Sequence, residues 1–182
     1  MFRWLKWSII VIVLLIAVAA GGGLWLRSYV APTEKLDLAY DRISIKDKAI
    51  EMVQKRKLEI VLSEADVNNL IKSQLQSGDS ESLPPDTTLD GARFELNGDK
   101  LIAHLNMTYR NILPLGMLAT YKMTWQAPNL IIEPLSLTVK NYDLGQDRLE
   151  RIVVPIELPS LISIRDIQFQ GNQIVIQLQL QL

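Results

Sequence analysis

The chain has 182 residues, with 19 Lys and Arg against 20 Asp and Glu and no cysteine. The missing cysteine removes disulfides, thiolate catalysis and Cys-ligated zinc, and the near-neutral balance without a concentrated basic face argues against a nucleic-acid partner. The length suits one domain able to bury a core without covalent staples.

At the N-terminus an uncharged run from Ser8 to Leu26 is entered through Arg3 and Lys6 and left through Arg27 and Tyr29. Nineteen residues at about 1.5 Å rise make roughly 28 Å of helix, close to the ~30 Å hydrocarbon thickness of a bilayer. The run predicts an N-terminal transmembrane helix over 8–26, after a short cytoplasmic tail over 1–7, because basic residues at the short end favour the cytoplasm. Trp4, Trp7, Trp25 and Tyr29 suit the two interfaces of such a span. The expected location is the cell membrane, single-pass, with the C-terminal part extracytoplasmic. Without Arg3 and Lys6, seventeen basic residues face twenty acidic ones, a net charge of −3. The rival reading is a cleaved secretory signal, since Ala17, Val18 and Ala19 form a small-x-small site after the apolar stretch Ile9–Ile16.

Residues 27–57 form a membrane-proximal segment. Its first part, to Ile45, fits a stalk, a first strand or a helical lead-in. Over Lys46–Lys55 the positions Ala49, Ile50 and Val53 recur at helical spacing. The basic triplet Lys55, Arg56, Lys57 reads as a solvated helix end or as a contact for anionic headgroups.

An extracytoplasmic domain is expected over 58–182. Leu58–Leu62 reads as a strand, and Ser63 followed three residues later by Asp66 is a capping-box-like helix start with Asp in place of the usual Glu. Val67, Leu70, Ile71 and Leu75 make one apolar stripe, while Asp66, Asn68, Asn69 and Lys72 lie off it as a wetted surface. Ser77–Pro85 is a turn-rich break. Then the period becomes two. Ala92, Phe94 and Leu96 alternate with polar residues, Asn97-Gly98 marks a hairpin, and Leu101, Ala103, Leu105, Met107 and Tyr109 alternate again.

Leu113–Gly116 reads as a break, followed by Met117, Ala119, Tyr121, Met123 and Trp125 on one face. After a turn at Ala127–Asn129, a strand from Leu130 to Lys140 contains Pro134, which predicts an edge position or a bulge. Gln146–Val154 fits a short helix ended by Pro155. Ile162–Phe169 and the alternating Ile174–Leu182 are strands joined by a turn at Gly171-Asn172. The fold class is therefore α+β: an N-terminal transmembrane helix, then a long curved antiparallel sheet packed on one or two helices.

The only histidine, His104, falls on the polar phase of its strand, and no serine sits in a nucleophile elbow. No glycine-rich phosphate loop occurs, and Asp79, Glu81 and Asp86 lack calcium-loop spacing. Asn106, Met107 and Thr108 match a glycosylation triplet, a frequent accident. No enzyme activity, cofactor or metal is expected. One constellation points to binding. Met107, Tyr109, Met117, Tyr121, Met123 and Trp125 share the inward phase of two strands, a soft apolar lining that suits an acyl chain or other apolar ligand, or else plain core.

The phrase Leu62-Ser63-Glu64-Ala65-Asp66-Val67-Asn68-Asn69-Leu70-Ile71 and the passage from Leu144-Gly145 through Pro155 to Leu158-Pro159, behind the apolar N-terminus, resemble the YpmS family of single-span bacterial envelope proteins. More loosely, the chain is similar to the tubular lipid-binding superfamily, whose long curved sheet wraps a helix around an apolar groove. The likeness covers most of Lys57–Leu182 and carries no catalytic residue. It implies an anchored, non-enzymatic module binding a lipid or other apolar ligand between helix and sheet. The competing expectation is a protein-interaction subunit of an envelope complex, acting through sheet edges such as the Gln-rich last strand.

Overall fold

A computed structural model describes residues 15, 18–54, 58–77, 86–156, 158 and 161–180. The chain is α+β. Helix α1 covers 18–30, and α2 (Ile45–Gln54) leads through β1 (Glu59–Ser63) into α3 (Glu64–Ser77). Strands β2 (Thr87–Asn97), β3 (Lys100–Tyr109), β4 (Leu113–Gln126), β5 (Asn129–Val139) and β6 (Tyr142–Asp143) follow, then β7 (Ile152–Pro155), β8 (Ile162–Gln170) and β9 (Gln173–Leu180).

The expected transmembrane helix over Ser8–Leu26 is not supported. Among the described residues no helix is long and apolar enough to cross a membrane. The described part of α1, residues 18–30, spans about 20 Å at 1.5 Å per residue and contains Gly21–Gly23, Arg27 and Ser28. Residues 1–14, 16 and 17 lie outside the described residues, as do the basic triplet 55–57, the acidic loop positions 79 and 81, and residues 78–85 of the turn-rich break.

The antiparallel strands form two sheets rather than one. The larger runs β2-β3-β4-β5-β6, with β7 also on β5; the smaller runs β1-β9-β8. Ile60 and Leu62 of β1, Ala49 of α2, Val67 of α3 and Ile176 and Leu178 of β9 join Phe94, Ala103, Ala119, Met123 and Leu137 of the large sheet in one core. That core lies on the inner face of the large sheet.

Three local expectations change, and the one for Pro134 is met. The Gln-rich last strand is central in its sheet, between β1 and β8, so it offers no edge. Leu113–Gly116 does not break the chain, because β4 starts at Leu113 and pairs residue for residue with β3. The expected helix over Gln146–Val154 is a single 3-10 turn, Gln146–Arg148, before β7, since pairing with β5 offers the apolar Ile152–Val154 stretch more than an isolated short helix could. Pro134 sits at a bulge: Tyr121 pairs with Pro134 and Thr120 with Ser136, leaving Leu135 as the extra residue. It also lies between the segments of β5 paired to β7 and to β6, so a missing N–H costs no bond on that side of the strand.

The segment before α2 is neither stalk nor strand. Residues 31–38 run as a strap across the outer face of the large sheet, over a row of cross-strand partners: Gly116 on β4, Asn106 on β3 and Gly91 on β2. A Cβ on Gly116 would stand 2.9 Å from the Pro32 Cα, and one on Gly91 would fall on the Leu36 carbonyl. Asn106 Nδ2 donates to the Glu34 carbonyl at 2.7 Å.

Candidate functional site

Helix α3 is placed by its first turn. The Ser63 N–H donates to Asp66 Oδ2 at 2.9 Å, and the Asp66 N–H donates back to Ser63 Oγ at 3.2 Å, the reciprocal cap expected of Ser-x-x-Asp. Burial pushes the Asp66 carboxyl up, but the Ser63 donors and the Lys48 ammonium 3.0 Å away outweigh it and hold it below its ordinary value.

One turn of α3 then docks on the β2 edge. Glu64 Oε2 accepts from the Leu96 N–H at 2.9 Å, and Asn68 Oδ1 accepts from the Phe94 N–H at 3.0 Å. The Ala92 N–H, two residues on, donates to the Asp37 carbonyl of the strap at 3.1 Å. Three alternate N–H groups of an edge strand are thereby satisfied, two by side chains at helical i, i+4 spacing. The Asn68 and Asp66 polar groups, expected to be wetted surface, are structural. So is Lys72, which is buried and pairs with Asp37 at 3.3 Å.

This docking fixes the direction of α3: Glu64 lies level with Leu96, and Lys72, through Asp37, lies level with Ala92. Its apolar stripe opens along that path. Val67 is 7% exposed, Leu70 and Ile71 are half-buried, and Leu75 is 41% exposed. The sheet opposite changes in step. In the row Phe94, Ala103, Ala119, Leu137 the two alanines are buried to 2% and 0%. In the next, Ala92, Leu105, Met117, Val139, both Leu105 and Met117 are half-buried. Leu89, Met107 and Leu115 make the row beyond, with Met107 buried as a floor and Leu115 half-buried. The inner face is thus closed at its centre and loosens toward the C-terminal half of α3.

Of the six residues expected to line a groove, three fall at this loosening end. Met107 and Met117 occupy adjacent rows, and Tyr109 follows, 37% exposed, with the Arg110 guanidinium 5.2 Å from its ring centre. The other three stand in the opposite half of β4. Met123 is 2% exposed core, and Tyr121 and Trp125 are half-buried against that core, beside Pro134 and Leu130. Burial pushes the Tyr121 phenol above its ordinary value.

Sequence reasoning did not place Leu105, Leu70 and Leu75 at this end; Leu70 and Leu105 pack against the core while Leu75 is 41% exposed. Leu105 carries the same inward phase as Met107, and the stripe of α3 was visible, but which turn of the helix meets which row follows from the Glu64 and Asn68 contacts alone. On the outer face, His104 lies 3.3 Å from Glu95, which also binds Arg93, while Arg93 reaches Glu34 of the strap at 3.1 Å. No His, Asp or Glu cluster that could hold a metal occurs among the described residues. Comparison with known proteins finds no matching family model, no matching curated protein and no matching solved structure.

Proposed function

We propose that the chain is a non-enzymatic binding module that takes the acyl part of a lipid, or a molecule of similar apolar shape, between the C-terminal half of α3 and the Leu105–Met117 and Met107–Leu115 rows of the large sheet. The observation that carries this reading is the gradient of burial along α3 and the facing rows: the same packed layer is closed at Ala103 and Ala119 and leaves Leu105, Met117, Leu75 and Tyr109 incompletely covered. Unbranched thioethers and leucines there present an adaptable apolar wall, and Tyr109 with Arg110, itself paired to Asp86 at 3.2 Å, supplies a polar rim for a headgroup. The resemblance to the YpmS family points the same way.

Titration of the full chain with a dansyl-labelled fatty acid tests this reading. Saturable fluorescence enhancement is expected in the parent. Met117→Trp, which fills the space, should weaken it at least tenfold, while Leu118→Trp, on the outer face next to it in sequence, should leave it unchanged. Equal binding by both variants, or none by the parent, contradicts the groove.

A further inference from the structure

The strap is tied at both ends of its course, and its far end holds α3 as well as the β2 edge, where the Asp37 carbonyl accepts from the Ala92 N–H. Pro32 rests on Gly116 and Leu36 on Gly91, contacts that only a missing Cβ permits. Glu34 is held by Asn106 through its carbonyl and by Arg93 through its carboxylate. At the β2 edge the chain turns over, and its next two residues grip the helix: Asp37 pairs with Lys72 at 3.3 Å, and the Leu38 carbonyl accepts from Gln76 Nε2 at 2.8 Å. Leu38 itself packs against the core.

Lys72 and Gln76 belong to the C-terminal half of α3, the half whose apolar stripe is least covered. The N-terminal half has its own anchors, Glu64 and Asn68 on β2 and the Glu64 N–H on the Asn172 carbonyl at 3.1 Å. The helix is therefore secured at one end by the β-sheets and at the other by a segment that begins on the opposite face of the large sheet, directly after α1. We infer that residues 31–38 form a latch: seated in the Gly91–Asn106–Gly116 trench, the strap holds the C-terminal half of α3 against the sheet, and its displacement frees that half and opens the groove. The opening rests on the groove reading above; the mechanical coupling does not.

The ties are mostly polar and small in number, which suits a reversible element. Displacement from the outer face would then be read on the other side of the sheet through Asp37 and Leu38, with no change needed in β3 or β4.

Hydrogen exchange on the full chain tests the coupling. Gly116→Val pushes Pro32 out of the trench at a point far from α3, and Asp37→Asn cuts the Lys72 pair without adding bulk. In both, exchange over residues 72–77 should rise at least tenfold, together with residues 31–38, while β8 and β9 stay at the parent rate. A rise confined to the strap overturns the latch, as does unchanged exchange over 72–77 in Asp37→Asn, which keeps the answer open to refutation should Gly116→Val fold poorly. A uniform rise across β8 and β9 in Asp37→Asn overturns it too, since the strap would then be a general stabiliser. Uptake of the dansyl fatty acid in the same variants separates the two readings: faster uptake with raised exchange supports both, whereas raised exchange with no uptake in any form supports the latch and sinks the groove.

Discussion

At the scale of single residues, Asp66 and Tyr121, two titrating side chains with displaced affinities, give opposite pH signatures. Asp66 is held below its ordinary value of 3.8 by the Ser63 donors and Lys48 despite its burial. The folded state therefore binds this proton less readily than the unfolded chain. Its contribution is complete above about pH 4 and is lost as the pH falls through the folded value. Asp66→Asn should lower stability at neutral pH by about 1 kcal/mol, the usual worth of a cap, and flatten the acid limb of a denaturation profile against pH. Tyr121 is displaced upward by burial, so its contribution is complete below its ordinary value near 10 and is lost as the pH rises through the folded value. Tyr121→Phe should remove that alkaline loss in the same measurement. Gly91→Ala tests a steric claim: a Cβ meets the Leu36 backbone, and overpacking of this kind costs about 1–3 kcal/mol in chemical denaturation.

Elements were legible where a local signal sufficed. The Ser63–Asp66 cap, the α3 stripe, the turn at Gly171–Asn172 and the bulge at Pro134 all follow from spacing and backbone chemistry within a few residues. Gly116 was not legible, because a Pro-Leu-Gly run reads as a break; here the glycine is part of a continuous strand and makes room for Pro32. The Ile152–Val154 stretch took its conformation from a partner strand twenty residues earlier, which no local period can announce. Asn68 read as surface because its partner, like that of Glu64, is an N–H group on β2, in a different part of the chain. Removing both, in Glu64→Ala with Asn68→Ala, leaves two edge donors open. The expected loss is about 1–3 kcal/mol per orphaned N–H at most, read as a lower denaturation midpoint, with a stronger tendency to aggregate through the uncovered β2 edge.

For the whole molecule, alternation revealed which residues face inward but not what they face. A single sheet covered by helices and two sheets sharing a core produce the same period of two, and the pairing of β1 with β9, at opposite ends of the domain, decides between them. This is why the expected lining divides. The second sheet and α2 contribute Ile60, Ile176 and Ala49 to the core shared with Met123, while at the end that α3 covers least Met107 is buried, Met117 half-buried and Tyr109 37% exposed. The strap adds a dependence between the two faces of the large sheet, so that the outer face governs a helix on the edge of the inner one.

Methyl-resolved NMR of the full chain with a spin-labelled stearate tests the central claim most directly, because it reads position as well as binding. Broadening confined to the methyls of Leu75, Leu105, Met107 and Met117, with those of Met123 and Ile176 sharp, is the predicted result. Uniform or absent broadening, or broadening centred on Ile112 and the other exposed apolar side chains outside the groove, would contradict it.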